Sequence, residues 1–338
     1  MTKNILITGV AGFIGSNLAE RLIKEGYYVI GIDNLSQGVK EQIPKEVKFY
    51  QEDIRSKDIY PLFKNIDVVF HLAAKNCISD CQDNPIETAD INITGTLNVF
   101  EAAKRASVKK VIYAESSAIY EGTDLFPTPE TEEKPISFYG KSKLADSMFA
   151  KAYSKFYGLN TVGLRYFNVY GPKQDYQRTI PPVMSAFIIK LLKRERPIIY
   201  GNGEKRRDFV YIDDVNDFHI LAMDNEEVNN NIYNIGFGKN YSVNEVYNII
   251  KRLMGVDIRP IYKEDLPGEA EITLADISKA KSLGWEPKIS LEEGIKFSID
   301  YIKNHIVDTT LTEEDIEFIE IAEKEFEEGK TISLENLQ

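Results

Sequence analysis

The chain has 338 residues, 43% of them hydrophobic, enough to bury one large core or two modest ones. No stretch reaches the roughly 18 consecutive apolar residues of a membrane span. Net charge is −12, but eleven acids and two lysines lie between Asp308 and Gln338, so that tail carries −9 and the body before it −3. A nearly balanced body has no concentrated basic face, which excludes nucleic acid as a partner. The two cysteines, Cys77 and Cys81, make no disulfide framework, and Met1-Thr2-Lys3-Asn4 enters a strand-like run without a secretory leader. Both point to a cytoplasmic setting.

In chain order, Lys3 to Thr8 reads as a buried parallel strand. It runs into Gly9-Val10-Ala11-Gly12-Phe13-Ile14-Gly15 and then a helical pattern with Leu18, Ala19 and Leu22 on one side, stopped by Gly26. Strand, glycine turn and helix start make a dinucleotide phosphate site, because free amides and the helix dipole face the pyrophosphate. A second strand, Tyr28 to Ile32, ends at Asp33, about 20 residues past the glycines, where an acid binds the adenosine ribose hydroxyls. An acid there disfavours a 2′-phosphate, so the cofactor expected is NAD and not NADP.

The alternation continues. Val47–Tyr50 and Val68–Leu72 read as strands, the latter running into Ala73-Ala74, small enough for close backbone approach to a ligand. Pro85 to Ala106 carries one long helical pattern containing Asn92, and Val111–Ala114 is a fifth strand ending at Glu115-Ser116-Ser117. Ligands bind at the carboxyl edge of such sheets, so Asp33, Asp53, Ala73 and Ser117 are expected on one rim of a doubly wound α/β sheet.

Tyr139 and Lys143, spaced i and i+4, share one face of a predicted helix. A cation there favours phenolate, lowering the tyrosine pKa of about 10 towards working pH and making Tyr139 a general base. The spacing alone also describes an ordinary surface pair. His71, His219 and His305 are scattered, His71 reading as structural, and no triad or zinc pattern emerges.

Together these stretches resemble the extended short-chain dehydrogenase/reductases, specifically the NAD-dependent sugar-nucleotide epimerase/dehydratase family of the UDP-glucose 4-epimerase type. The resemblance also rests on His71-Leu72-Ala73-Ala74, Asp90-Ile91-Asn92-Ile93-Thr94-Gly95-Thr96, Ser116-Ser117-Ala118-Ile119-Tyr120 and Leu164 to Pro172. It continues through Gly201 to Asp214 and Ala275 to Ala280, covering residues 1 to about 305. It implies a doubly wound parallel Rossmann sheet with a smaller, interleaved α/β substrate domain. The NAD domain would span 1–170, with a return around 208–238, followed by a substrate domain at 171–307 and an acidic helical tail at 308–338.

The resemblance further implies NAD contacts at Gly9, Gly12, Phe13, Ile14, Gly15, Asp33, Asn34, Asp53 and Ile54. Further cofactor contacts are implied at Leu72, Ala73, Ala74, Asn92, Tyr139, Lys143 and Tyr166. The catalytic set it implies is Ser117, with Ser116 as the less favoured neighbour, Tyr139 and Lys143. Ser117 would bond the sugar's 4-oxygen and pass its proton to Tyr139, Lys143 would hold the nicotinamide ribose, and hydride would leave C4 for NAD, giving a 4-keto sugar. Asn168 and Arg207 would meet the nucleotide diphosphate, and Tyr200 the base unless it is core. Lys173 and Arg178 would meet phosphate or stand as solvated loop charges.

Departures from the family pattern bear on the reaction. Dehydratases of the family carry an Asp-Glu pair after the hydroxyl residue, where Ala118-Ile119 stand here, and this favours 4-epimerisation. Glu115 and Glu121 replace small residues, either as surface groups or as substitute acids that keep dehydration open. Leu266 stands where a second diphosphate arginine is usual, and the Lys75–Asp83 loop, with its free thiols Cys77 and Cys81 and no metal, is expected to carry sugar specificity. In the tail, Thr312 caps an amphipathic helix with Ile316, Ile319, Ala322 and Phe326 on one stripe and Gly329 as its stop. The expectation is therefore a homodimeric nucleotide-sugar 4-epimerase joined through the helices at 85–106 and 139–157. Its rivals are a 4,6-dehydratase or 4-dehydrogenase, for example on a GDP-sugar, and a non-catalytic NAD-binding or sensing protein.

Overall fold

Strand β1 (Asn4–Thr8) is apolar at every position but its ends, because both of its faces are covered. Ile5 and Ile7 enter the core on one side of the sheet, and Leu6 enters the core on the other. A computed structural model describes residues 3–174, 181–265 and 270–310, with side chains described as far as His305. Arg178, Leu266 and the expected helix beginning at Thr312 lie outside the described residues.

Around β1 stand β2 (Tyr28–Asp33), β3 (Lys48–Gln51), β4 (Val68–His71), β5 (Lys110–Ser116), β6 (Asn160–Tyr166) and, from much later in the chain, β11 (Asn231–Ile235). All seven are parallel in the order β11-β6-β5-β4-β1-β2-β3. The winding direction reverses between β1 and β4, and a crevice opens at such a switch point beyond the carboxyl ends of the strands. Helix α1 (Phe13–Lys24) returns from β1 to β2 and buries Leu18, Ala19 and Leu22, as its periodicity predicts.

The pattern over Pro85–Ala106 is one helical run with a wide turn inside it. After the short α2 (Ile78–Asp83), α3 (Pro85–Ala89) passes through a π turn at Asp90–Thr94 into α4 (Gly95–Arg105). Asn92 on that turn is fully buried, and its carboxamide accepts from Lys75 N (2.8 Å) and donates to Lys75 O (3.0 Å) and Ser142 Oγ (3.0 Å). The inserted residue aims a polar side chain inward where a regular turn would place another apolar one. Helix α5 (Phe138–Tyr157) packs beside this run and the end of β5.

After β7 (Val169–Tyr170) a second lobe forms from α6 (Val183–Leu192), β8 (Ile198–Tyr200), β9 (Arg206–Asp208) and β10 (Val210–Tyr211). Helix α7 (Ile212–Asp224) leads back to β11, and β12 (Asn240–Ser242), α8 (Val243–Leu253), β13 (Ile261–Lys263), α9 (Ser278–Lys281) and α10 (Leu291–Thr310) follow. The second lobe has its own core, with Phe187, Leu191, Ile199, Tyr247, Ile250 and Ile295 buried. Asp208 ties the lobes together by accepting backbone hydrogen bonds from Phe237 (2.7 Å), Gly238 (3.0 Å) and Ala275 (3.0 Å).

The most polar part of the sheet is around Arg165, which is fully buried on β6. Its guanidinium donates to Glu115 (2.7 Å), Tyr120 Oη (2.9 Å), Glu130 O (2.6 Å) and Glu133 (2.6 Å), pinning the 121–136 segment to the sheet. Replacing Arg165 with Leu strands the Glu115 carboxylate, and removing one partner of such a buried pair costs about 3–5 kcal/mol. Urea titration of Arg165→Leu should show that loss, whereas a change below about 1 kcal/mol would deny the network a structural role.

Candidate active site

Gly9 follows β1 at the switch point, with φ +73° and its N–H on Ile32 O at 2.8 Å. A Cβ on Gly9 would lie 2.7 Å from Ala73 N, and one on Gly15 would lie 2.1 Å from Gly9 O. Only glycine lets β1, the α1 start and the Leu72-Ala73 backbone close together this tightly. Gly12 is the N-cap of α1, so the helix's first free amides open on this cradle. Phe13 and Ile14 do not line it alone; both also pack against the core of the second lobe.

At the end of β2, Asp33 accepts from Ala11 N (3.0 Å) and Leu35 N (2.8 Å), and burial raises its pKa against those bonds. It is thereby held at the rim next to the glycines. Asp53 is committed to its neighbours, accepting from Arg55 and from Asn34 Nδ2 (2.9 Å), and the Arg55 guanidinium holds it far below the usual carboxylate range. Ile54 is buried against Gly95, and Ala74 is half-buried beyond Ala73. Tyr166 is buried, with its hydroxyl on His219 Nε2 at 2.7 Å. His71 is structural: Nδ1 meets Thr8 Oγ1 (2.7 Å), Nε2 meets Thr96 Oγ1 (2.9 Å), and burial lowers its pKa to about 3, so it is neutral. This group of strand ends, glycines and Asp33 fits a dinucleotide.

Helix α5 starts from a doubly anchored cap. Ser137 Oγ accepts from Gly140 N (2.9 Å), while Glu121 accepts from Ile136 N (2.9 Å), Ser137 N (2.6 Å) and Ser137 Oγ (2.7 Å). The cap fixes the turn that presents Tyr139. At the end of β5, which stays extended two residues beyond the apolar run with Ser116 opposite Tyr166, Ser116 Oγ accepts from Ala118 N (3.2 Å), and its hydroxyl works to lower the Tyr139 pKa. Ser117, favoured from the sequence, opens the 3₁₀ turn Ser117–Tyr120 directly after it.

Electrostatics at the pair also differ from the sequence expectation. Enclosure of the Tyr139 hydroxyl raises its pKa, and Lys143 and Ser116 only work against that rise. The spacing reveals the cation but not the desolvation. Burial likewise opposes the Lys143 ammonium, but Asp146, whose Oδ2 is 3.1 Å from Nζ, and Tyr139 outweigh it and raise its pKa. Asp146 went unnoticed in the sequence, although its i+3 spacing from Lys143 puts it on the same helical face.

Neither glutamate is the surface group or free acid expected. Glu115 is wholly buried on Arg165, and burial raises its pKa; Glu121 is spent on the α5 cap. Between β6 and β7, Asn168 Nδ2 donates to Asp208 O (2.9 Å) and Thr273 Oγ1 (3.3 Å), and in the second lobe Arg207 on β9 reaches Arg206 O (3.1 Å). Tyr200 is 41% exposed, so it is not core. Lys173 pairs with Glu20 at 2.8 Å. Cys81 is buried, Cys77 half-buried, and no group of three metal-type ligands occurs among the described residues.

Residues 5–236 match the model of the NAD dependent epimerase/dehydratase family. The chain belongs to that family. A putative UDP-glucose 4-epimerase of Methanocaldococcus jannaschii is 41% identical over 305 residues, covering 89% of this chain and 99% of that protein. A UDP-glucuronate 4-epimerase of Thermodesulfobacterium geofontis is 38% identical, covering 89% and 96%. The crystal structure of Thermotoga maritima UDP-glucose 4-epimerase with UDP-glucose superposes with a TM-score of 0.87 at 39% identity, covering 90% of this chain and 99% of that one. The epimerase/dehydratase fold accounts for the seven-stranded parallel sheet, and the family is NAD-dependent.

A methyl group at Gly15 has backbone on its far side and nowhere to go. Gly15→Ala should purify with at least tenfold less bound NAD, read by absorbance of released cofactor; normal NAD content would refute the cradle assignment.

Proposed function

We propose that the chain is a UDP-sugar 4-epimerase working through a transient 4-keto sugar, with NAD as a resident cofactor and no net redox change. The observation that supports this is the Tyr139–Lys143 pair on α5, with Lys143 buried on the inner face and the Ser116-Ser117 strand end packed against that helix. NAD, when held by that cradle, Asp33 and Lys143, supplies the hydride acceptor and donor. Ser116 is the hydroxyl positioned to bond the sugar's 4-oxygen and share its proton with Tyr139. Tyr139 accepts that proton as C4 is oxidised and returns it as C4 is reduced from the other face. A phenol raised by burial suits the return step as well as the first, since one group serves as base and then acid.

Dehydration has less support, because no carboxylate follows in Ser117-Ala118-Ile119, while Glu115 is buried against Arg165 and Glu121 is spent on the α5 cap. A non-catalytic NAD-binding role has less support still, given Tyr139 and the buried Lys143 one turn apart on α5. On this reading the second lobe, roughly 171–307, receives the nucleotide, with Asn168, Tyr200 and Arg207 facing its diphosphate and base. The enzyme acts in the cytoplasm as a homodimer. Ile86 (83% exposed), Met148 (65%) and Phe156 (71%) support the dimer, as large apolar side chains on α3 and α5 that a second copy would cover.

Incubation with a panel of UDP-, GDP- and dTDP-sugars, followed by NMR, tests the activity. A C4 epimer of unchanged mass from a UDP-sugar is expected; a product lighter by one water would mean dehydration. Tyr139→Phe and Ser116→Ala should each cut turnover by about 10²-fold or more with NAD retained, and Ser117→Ala by less than tenfold. The reverse order for the two serines would restore Ser117 to the catalytic role. Sedimentation of Phe156→Glu should show monomer where the parent chain is dimer, and an unaltered dimer would move the interface elsewhere.

A further inference from the structure

Beyond the serine, tyrosine and lysine, α5 contributes a fourth polar group to the same buried face. Asp146 is 1% exposed and Lys143 is 2% exposed, with Oδ2 and Nζ 3.1 Å apart. The other carboxylate oxygen, Oδ1, is buried with no hydrogen-bond partner among the described residues. A carboxylate on a helix interior with half its bonding capacity unmet is costly, and packing alone gives no reason for it. Groups on the surrounding elements also face this pair. Glu115 and Tyr113 come from β5, His71 from β4 and Thr96 from α4, with Arg165 of β6 standing behind Glu115. Arg165 is engaged by Glu115, Tyr120 and Glu133, and His71 is neutral between two threonines. Asp146 is therefore the carboxylate that answers the Lys143 ammonium directly.

We infer that Asp146 is a positioning residue that keeps Lys143 an ammonium beside Tyr139 and sets how readily the Tyr139–Lys143 pair gives up a proton. Two opposing effects meet at this carboxylate. A buried ammonium with no counter-charge sheds its proton, and then it neither favours phenolate nor holds a ribose hydroxyl. With Asp146 ionised, Lys143 keeps its proton, and the proton that leaves the pair comes from the phenol. The same negative charge disfavours phenolate, so the pair loses its proton at higher pH than it would without Asp146. Because the two groups share one buried site, the measurable pKa belongs to the pair. Burial pushes the Asp146 carboxyl upward while Lys143 pulls it down, and Asp146 raises both Lys143 and Tyr139.

This inference rests on the proposed role of Tyr139, but its test does not need a known sugar. The near-ultraviolet tyrosinate absorbance of the NAD-loaded protein is titrated with pH, and the same titration of Tyr139→Phe is subtracted. Repeated in the Asp146→Asn background, the tyrosinate midpoint should rise by about one pH unit or more, because Lys143 without its counter-charge sheds its proton first and no longer favours phenolate. Asp146→Glu should leave it near the parent value. Once a sugar is known, the acidic limb of kcat/KM should move up with the midpoint. An unmoved or lowered midpoint in Asp146→Asn overturns the inference, including when turnover is lost, since that is the signature of a merely structural residue. Absence of turnover by the parent chain on every sugar would instead count against the epimerase reading, leaving the titration to decide on Asp146. If Asp146→Asn lacks native circular dichroism, Asp146→Ser is titrated in its place and judged by the same midpoint.

Discussion

A cation taken out of water is the constraint around which this molecule is arranged. Lys143 sits at the inner face of α5 with almost no solvent contact, and an isolated ammonium there would lose its proton. Asp146 answers the charge from the same helix, Tyr139 lies one turn back, and Glu115 lends its field from β5. Glu115 in turn is affordable only because Arg165 reaches it from β6, and Arg165 fixes the segment that leads into α5. The chain of compensation therefore closes on itself: the helix that buries the lysine is entered through a loop held by the arginine that steadies the lysine's neighbour. Buried ionic groups seldom raise stability over apolar packing, so the benefit of this arrangement lies in fixing the position of the Tyr139 phenol.

Much of this was legible in the sequence, and the reasons differ by element. The strands β1 to β5, the glycine turn and Asp33 announce themselves because parallel strands buried on both faces are continuous apolar runs, and a phosphate cradle needs glycine at fixed offsets. The membership of Tyr139 and Lys143 in one helix face follows from spacing. Where β5 gives way to the next turn was not legible, because an apolar run marks where a strand is buried and not where its backbone stops being extended, and the ladder runs on to Ser116. Likewise the fall expected for the Tyr139 pKa counted a charge visible in the sequence and not the desolvation that only tertiary packing creates. Glu115 and Glu121 were legible as unusual, but their partners, Arg165 and the Ser137 cap, are 50 and 16 residues away.

The second lobe was the harder part. Its strands are two or three residues long, too short for a period-two pattern to stand out, and they pair as isolated ladders. What holds them is a set of side-chain-to-backbone bonds, above all the three amides gathered by Asp208. An aspartate flanked by arginine and phenylalanine gives no hint of that in sequence. Its pKa, raised by burial to about 6, records how deeply it has been drawn in.

Phe13 and Ile14 give the fold a property that neither lobe has alone. They open α1 between Gly12 and Gly15, in the turn that carries the glycines, yet their side chains rest against the core of the second lobe. Any molecule that orders that turn also firms the wall on which the second lobe leans, and by linkage a lobe that is well seated holds the turn ready for its ligand. A ligand seated at this helix start therefore works less as a visitor than as a keystone between the two lobes.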